Sequence, residues 1–300
     1  MLGGACAHAP AVPEPRTGPR LFVLGRAQDG GLPHVGCDAP CCAEARRTGR
    51  RETPACLGVH DPGSGALLLI EATPAVEEQL ALLHRLAGSP ARGRAPIDAV
   101  LITHAHLGHY LGLAWFGREV CATRGLPVFV TARMADFLSA HAPWKQLVAL
   151  SQIELRRFAP GTTFSPMPGL QVEAIAVPHR DEFSDTVAFK LKGPRRCVLF
   201  VPDVDAWHRQ GDLLPRLLEG VDVAFVDGTF WDAAELPERA RPEIPHPPMV
   251  DTIERLSGSR AMPPGGVRFL HLNHSNPAFT PGWPLPEGFS VATVGEWVDL

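Results

Sequence analysis

From Arg20 onward, short β-rich runs alternate with stretches whose apolar residues recur at helical spacing. Nine runs rich in β-branched and other apolar residues predict strands over 21–24, 66–70, 99–103, 128–131, 172–177, 187–191, 197–201, 223–226 and 267–270. Helices are predicted between them, over 75–86, 109–123, 205–218 and 249–256. Strands and helices interleaved in this way predict a layered α/β body, with two sheets or one large sheet covered by helices.

The chain is long enough for one large domain, and no stretch of it has the composition of a linker between two. We therefore predict a single domain over residues 20–300. Residues 1–19 are rich in Pro and Ala and lack periodicity, which predicts a disordered leader. Residues 235–248 hold five prolines among mixed charges and are predicted to form a surface loop.

Charge and hydropathy restrict the classes of partner. Charged residues make up 20% of the chain and the net charge is -4, so a generic nucleic-acid binder is disfavoured and a small-molecule substrate is expected. No run reaches the roughly 18 apolar residues of a membrane-spanning helix. A cytoplasmic location is expected. The alternative is a periplasmic lipoprotein anchored through Cys6, because residues 2–6 resemble the tail of a lipoprotein signal whose beginning would then be truncated.

The strongest local signal is T-H-A-H-L-G-H, over residues 103–109, directly after a predicted buried strand. A single histidine is usually structural. Three histidines at one strand end can instead point their imidazoles into one space, and neutral imidazole is a common ligand of zinc and similar ions. His104, His106 and His109 therefore predict a metal site.

Three further residues stand in the same context, each just after a predicted strand: His179, Asp203 and His271. Taken singly, each has a structural explanation, since an aspartate after a strand often caps the next helix. As a set, they supply histidines to hold two ions and a carboxylate able to bridge them, which a two-metal hydrolytic site requires.

With these residues the chain resembles the metallo-β-lactamase-fold superfamily, whose hallmark is H-x-H-x-D-H followed by a distant His, a distant Asp and a final His. The resemblance spans residues 21–277 and implies a four-layer αβ/βα sandwich with the metal ions at one edge of its two sheets. It also implies the ligands: a first ion held by His104, His106 and His179, a second by His109 and His271, and Asp203 between them.

The chain departs from that pattern at Gly108, where the hallmark has an aspartate that ligates the second ion. Three outcomes are open: a mononuclear enzyme, a weak second site completed by water, or a substitute ligand. His246, within I-P-H-P-P, is a candidate for the substitute ligand or for an acid/base group, and a surface-loop histidine is the alternative.

Three of the seven cysteines crowd into Cys37, Cys41 and Cys42, which favours a metal site over a disulfide framework. The Gly-rich turn at residues 25–37, these cysteines and the following Ala-Arg resemble two branches of the superfamily, the coenzyme-PQQ biosynthesis protein B and the phosphonate-pathway cyclic phosphodiesterase. The second branch implies a structural zinc held by Cys37, Cys41, Cys42 and His274, pinning the N-terminal loop to the C-terminal strand. Three buried thiols without metal are the alternative.

No serine elbow, P-loop or dinucleotide fingerprint occurs, which disfavours serine hydrolases, kinases and dehydrogenases. We predict a metal-dependent hydrolase of a phosphodiester or related ester, with Zn²⁺ as the first choice and Mn²⁺ or Fe as alternatives in the active site. The ion would bring the pKa of its water from about 16 toward 7, and Asp203 would hold that water or bridge two ions. Two rivals are an iron-dependent oxygenase of the PQQ-biosynthesis type, with O₂ at the position left open by Gly108, and a non-catalytic metal-binding protein of the same fold.

Overall fold

The structure, a computed structural model, describes residues 18–235 and 246–300. The strands are β1 Arg20–Gly25, β2 Cys56–Asp61, β3 Ala66–Ile70, β4 Ala99–Leu101, β5 Leu126–Thr131, β6 Ile153–Phe158, β7 Thr163–Met167, β8 Leu170–Ala176, β9 Val187–Lys192, β10 Cys197–Val201, β11 Val223–Asp227, β12 Val267–Leu270, β13 Phe289–Val291 and β14 Trp297–Asp299. The helices are α1 Pro40–Thr48, α2 Val76–Ala87, α3 Leu107–Tyr110, α4 Ala132–Ala140, α5 Trp144–Ala149, α6 Leu213–Leu218 and α7 Met249–Leu256. Short 3₁₀ helices cover Leu111–Phe116, Trp207–Arg209, Ala233–Glu235 and Pro277–Phe279.

The strands form two sheets of seven. One has the order β14-β1-β2-β3-β4-β5-β6 and the other the order β13-β12-β11-β10-β9-β8-β7. Alternate residues of a strand point to opposite faces, and here both faces are buried. In β1, Leu21 and Val23 pack between the two sheets, whereas Phe22 and Leu24 pack under the outer helices. The predicted four-layer αβ/βα sandwich is confirmed.

Strand direction decides where functional residues can collect. In the first sheet β3, β4, β5 and β6 are parallel neighbours, and β1 runs the same way because it is antiparallel to β2, which is antiparallel to β3. In the second sheet β10, β11 and β12 are parallel, and β8 shares their direction through β9. The carboxyl ends of these strands therefore share one edge of each sheet.

Five strands were not predicted: β2, β6, β7, β13 and β14. In β2 the apolar run is interrupted by Gly58, and the packing explains why glycine is there. A Cβ at Gly58 would lie 2.7 Å from a methyl carbon of Leu83 on α2 and 2.9 Å from one of Leu24. The glycine lets α2 approach the sheet, and it also weakens the strand signal in the sequence.

The predicted helix over 109–123 is wrong beyond residue 116. The chain forms only the single turn of α3 and then the 3₁₀ helix, and it turns at Gly117, whose amide donates to the carbonyl of Ala114 at 3.0 Å. The predicted helix over 205–218 is likewise shortened to α6 and a 3₁₀ turn. The amide of Asp205 donates to the carbonyl of Pro178 at 2.8 Å, which ties this residue to the loop after β8. Helices α1, α4 and α5 were not predicted.

Several predictions lie outside the described residues. They are the disordered leader up to residue 17, the lipoprotein alternative at Cys6, and the Pro-rich loop over residues 236–245. Within the rest of the chain, no helix combines the length and the apolar character needed to cross a bilayer.

Candidate metal centre

The candidate ligands all follow the carboxyl ends of strands at the shared edge. They are Asp29 after β1, the His104 to His109 segment after β4, His179 after β8, Asp203 after β10 and His271 after β12. Two residues at this edge have left-handed backbones, Glu71 with φ 74° and His271 with φ 62°. Non-glycine residues rarely adopt this conformation, and such strain concentrates at functional sites.

The first cluster contains His104, His106, His179 and Asp203, whose donor atoms all lie within 4.8 Å of one another. Nε2 of His104 is 3.3 Å from Oδ2 of Asp203, and Nε2 of His179 is 3.1 Å from its Oδ1. Nε2 of His179 is also 3.2 Å from Nδ1 of His106. Ligands about 2.0–2.1 Å from one tetrahedral ion stand about 3.4 Å apart, so these separations fit a shared ion.

The second cluster contains Asp29, His109 and His271. Oδ1 of Asp29 is 3.2 Å from Nε2 of His109 and 3.5 Å from Nε2 of His271. Oδ2 of Asp203 lies 3.7 Å and 3.9 Å from the same two nitrogens. Asp203 therefore faces both clusters. Asp29 was not predicted from the sequence.

The donor atoms fit a metal ion chemically as well as geometrically. Nε2 of His104, His109 and His271, with Oδ1 of Asp29 and of Asp203, are buried without a hydrogen-bond partner among the described residues. A buried polar atom left unpaired is costly, and several converging on one point indicate that something else satisfies them.

The ring nitrogens that do not face the clusters, here called the far nitrogens, also have partners. Nδ1 of His104 lies 2.8 Å from Oγ1 of Thr103, which donates to the fully buried Glu71 at 2.5 Å. Nδ1 of His271 lies 2.9 Å from Oγ1 of Thr229. Metal-binding histidines almost always have such partners, which fix the tautomer and the ring orientation.

Carboxylates face two more of the far nitrogens. Nδ1 of His109 is 3.4 Å from Oε1 of Glu71, and Nδ1 of His179 is 3.4 Å from Oδ1 of Asp205. Sequence reasoning missed Glu71 and Asp205. Both follow strand ends in the same way as the residues that it did select.

Two candidate ligands, Asp203 and His104, have pKa shifts that favour their metal-binding forms. Burial alone would raise the pKa of Asp203, but the charges of His179, His246 and His271 hold it well below its usual range. Burial and the neighbouring His109 lower the pKa of His104 well below its usual value. At neutral pH Asp203 is thus a carboxylate and His104 a neutral imidazole, which are the forms that bind metals.

His179 differs, because the charge of Asp203 outweighs burial and raises the pKa of His179 to about 9 in the metal-free protein. Metal binding must therefore release a proton from His179.

His246 lies at the edge of this centre. Its Nδ1 is 2.7 Å from Oδ2 of Asp227, 3.2 Å from Oδ1 of Asp203 and 3.2 Å from Oγ1 of Thr229. Burial lowers the pKa of His246, but Asp227 and Asp203 outweigh it and raise that pKa above the usual value. Asp227 is fully buried at the end of β11 and was another residue that sequence reasoning missed.

The cysteine cluster is separate from these two clusters. Nδ1 of His274 is 3.9 Å from Sγ of Cys37, 3.6 Å from that of Cys41 and 3.5 Å from that of Cys42. The two adjacent thiols are 4.0 Å apart. A tetrahedral zinc with Zn–S of about 2.3 Å and Zn–N of about 2.0 Å sets its ligands about 3.5–3.8 Å apart. The structure thus brings together the four predicted ligands, with Cys37, Cys42 and His274 in the tightest group.

Residues 67–264 match the family model of the β-lactamase superfamily domain. The coenzyme PQQ synthesis protein B of Methylobacterium sp. (strain 4-46) is 29% identical over 281 residues, 86% of this chain and 90% of the relative. The protein of the same description from Cupriavidus necator is 27% identical, covering 88% and 92%.

Two solved structures share the fold across both chains. Zn²⁺-bound PqqB from Methylobacterium extorquens aligns with a TM-score of 0.77 at 22% identity, covering 94% of this chain and 100% of that one. A diphosphatase from the PhnP family aligns with a TM-score of 0.66 at 20% identity, covering 95% and 98%. The chain is therefore similar to both of the branches named from its sequence.

Proposed function

Because the chain belongs to the metallo-β-lactamase superfamily, we propose that it is a metal-dependent hydrolase acting on a phosphodiester or related ester. One observation carries the proposal. Buried donor atoms spaced for metal ions gather around Asp203 on the shared sheet edge. Asp203 belongs to one group with His104, His106 and His179 and to another with Asp227, His246 and His271, and its Oδ2 also faces the group of Asp29, His109 and His271. Stability does not explain the arrangement, since unpaired buried donors cost free energy in the absence of a ligand.

The candidate ligands can be assigned to two ions. His104, His106 and His179 would hold the first ion, His109 and His271 would hold the second, and Asp203, which faces both groups, would serve both. A metal ion in such a site supplies hydroxide at neutral pH by lowering the pKa of water toward 7, and polarises the oxygen that it contacts. Zinc suits the nitrogen-rich first cluster, and Mn²⁺ or Fe are alternatives. Two adjacent ions clamp the attacking and leaving oxygens of a displacement at phosphorus, which favours phosphodiesters as substrates.

His246 is proposed as the acid/base group. Its ring is held by Asp227, and with Asp29 beside His109 and His271 the second cluster does not need His246 as a ligand. The neighbouring carboxylates raise the pKa of His246 and so favour the protonated imidazole, which is the form that can deliver a proton to a leaving oxygen.

A substrate screen with matched variants tests the function. Wild type, His104→Ala and His179→Ala are assayed against phosphodiesters, thioesters and lactones with Zn²⁺ and Mn²⁺. The control is His141→Ala, which removes an exposed imidazole from the end of α4. We expect hydrolysis by wild type and the control, with loss of activity and of active-site metal in the other two variants and little change in their folds. Full metal retention in both would remove the central claim.

The second candidate is an iron-dependent oxygenase of the PQQ-biosynthesis type, which the coenzyme PQQ synthesis relatives favour. Such an enzyme needs an open coordination position for O₂, and Gly108 by itself would leave one, but the carboxylate of Asp29 lies where a side chain at residue 108 would be. Oxygen uptake by the iron-loaded protein, without ester hydrolysis, would favour it. Saturating metal with neither activity would favour a non-catalytic metal-binding protein.

A further inference from the structure

Gly108 stands where the superfamily pattern has an aspartate, and its neighbour in space is Asp29. A Cβ built at Gly108 would lie 2.0 Å from Oδ1 of Asp29, 2.5 Å from its Cγ and 2.6 Å from its Cα. Real contacts at these distances do not occur. The backbone of Gly108 is right-handed and helical, so its conformation does not demand glycine. Glycine is required because Asp29 already fills the space of a side chain at this position.

The carboxylate of Asp29 is oriented as a ligand would be. Its Oδ1 is buried without a hydrogen-bond partner among the described residues and points to Nε2 of His109 and Nε2 of His271, at 3.2 Å and 3.5 Å. These separations match ligands that share one ion.

The loop that carries Asp29 is fixed relative to His271. The amide of Gln28 donates to the carbonyl of Leu272 at 2.7 Å, and the amide of Leu272 donates to the carbonyl of Arg26 at 3.0 Å. Gln28 directly precedes Asp29 in the chain, Leu272 directly follows His271, and Arg26 lies three residues before Asp29. The backbone therefore holds Asp29 and His271 together before any ion binds.

We propose that Asp29 is the carboxylate ligand of the second metal ion, delivered from the loop after β1 in place of residue 108. The inference rests on the proposed function only in requiring a second ion. Of the three outcomes left open at Gly108, it selects the substitute ligand, and it gives that role to Asp29 and not to His246.

Zinc counting by mass spectrometry on desalted protein tests the assignment. The variants are Asp29→Ala, Asp29→Asn, which keeps the side-chain shape, and the control Asp38→Ala, which removes an exposed carboxylate later in the same segment. We expect Asp29→Ala to hold one zinc fewer per chain than wild type and the control. Zinc titration should show the second site weakened by more than about 100-fold, because even partners outside the coordination sphere are worth 10–100-fold.

Gly108→Ala is the reciprocal test. Alanine normally stabilises a helix relative to glycine, so a harmful effect here reports the clash. We expect this variant to lose the second zinc although it removes no ligand. Gly108→Asp should do the same, because Asp29 blocks the added carboxylate.

The outcomes separate the ligand assignment from the function. If Asp29→Ala and Asp29→Asn keep every zinc at wild-type affinity, the assignment is overturned while ester hydrolysis by wild type can stand. If Asp29→Ala loses one zinc but wild type hydrolyses no ester, the assignment stands and the proposed function fails. Circular dichroism of the metal-free proteins identifies a variant that fails to fold, and Asp29→Asn then decides.

Discussion

Glu52 contacts the loop that carries Asp29. Its replacement by glutamine should lower the free energy of unfolding by an amount that depends on pH. Its backbone exchanges hydrogen bonds with Leu32, at 2.8 Å and 3.0 Å. Its carboxylate accepts two bonds of 2.8 Å from Arg26 and two from Arg50, at 2.8 Å and 3.2 Å. Only 9% of the Glu52 side chain is exposed. Glu52→Gln keeps the shape of the side chain and removes its charge.

The expected loss at pH 7 is about 2 kcal/mol, because a hydrogen bond to a charged group is worth about 1 kcal/mol more than a neutral one and the four bonds, which share one carboxylate, are not fully additive. This corresponds to a fall of about 3 °C in Tm for a chain of this size. Burial would raise the pKa of Glu52, but Arg26 and Arg50 lower it below 4.5. A carboxyl whose folded pKa is lowered stabilises the protein above its unfolded pKa and loses that effect as pH falls through the folded value.

Urea unfolding of zinc-loaded wild type and Glu52→Gln at several pH values measures this difference. The control is Glu44→Gln, since Glu44 pairs with Arg47 on the surface, where their side chains are 57% and 72% exposed. We expect no measurable change in the control, a constant deficit for Glu52→Gln above about pH 5, and a shrinking deficit below about 4.5. Equal stability at pH 7, or a deficit that persists undiminished in acid, would refute the reasoning.

Two further predictions concern the metal clusters. Cys42→Ser should release the structural zinc and lower Tm by about 6 °C, since zinc binding 1,000-fold weaker costs about 4 kcal/mol of stability. Cys197→Ser, which changes a cysteine on β10, is the control, and equal zinc content in both variants would contradict the site. His246→Gln should lower kcat by about 10²–10⁴-fold with zinc content unchanged, and kinetics paired with metal counting would expose a ligand role if zinc is lost instead.

Site residues could be found from sequence where they directly follow a predicted strand, and this rule explains which of them were found. His104, Asp203 and His271 each follow an apolar run, and strands that run in one direction bring such residues to one edge. Asp227 obeys the same rule at the end of β11 and was available to this reasoning.

Asp29 could not be found in this way. Its position depends on pairing between residues far apart in sequence, since Ala27 bridges both Pro54 and Leu272. No local pattern encodes those pairings, and the Gly-rich turn around Asp29 predicts only a tight bend. The cysteine cluster was accessible because three thiols are close in sequence, but its meeting with His274 came from resemblance and not from spacing. That these residues bind metal stays a prediction.

Two of the clusters combine candidate ligands from opposite ends of the chain, which determines when each cluster can form during synthesis. Asp29 and the three cysteines are made early, whereas His271 and His274 are made late. The first sheet can begin to fold while synthesis continues, but neither the second active-site cluster nor the cysteine cluster can be completed until the segment after β12 emerges. Binding of the proposed ions would therefore be a late event in synthesis. A chain that ends before His271 and His274 would keep the early thiols and Asp29 but could complete neither site.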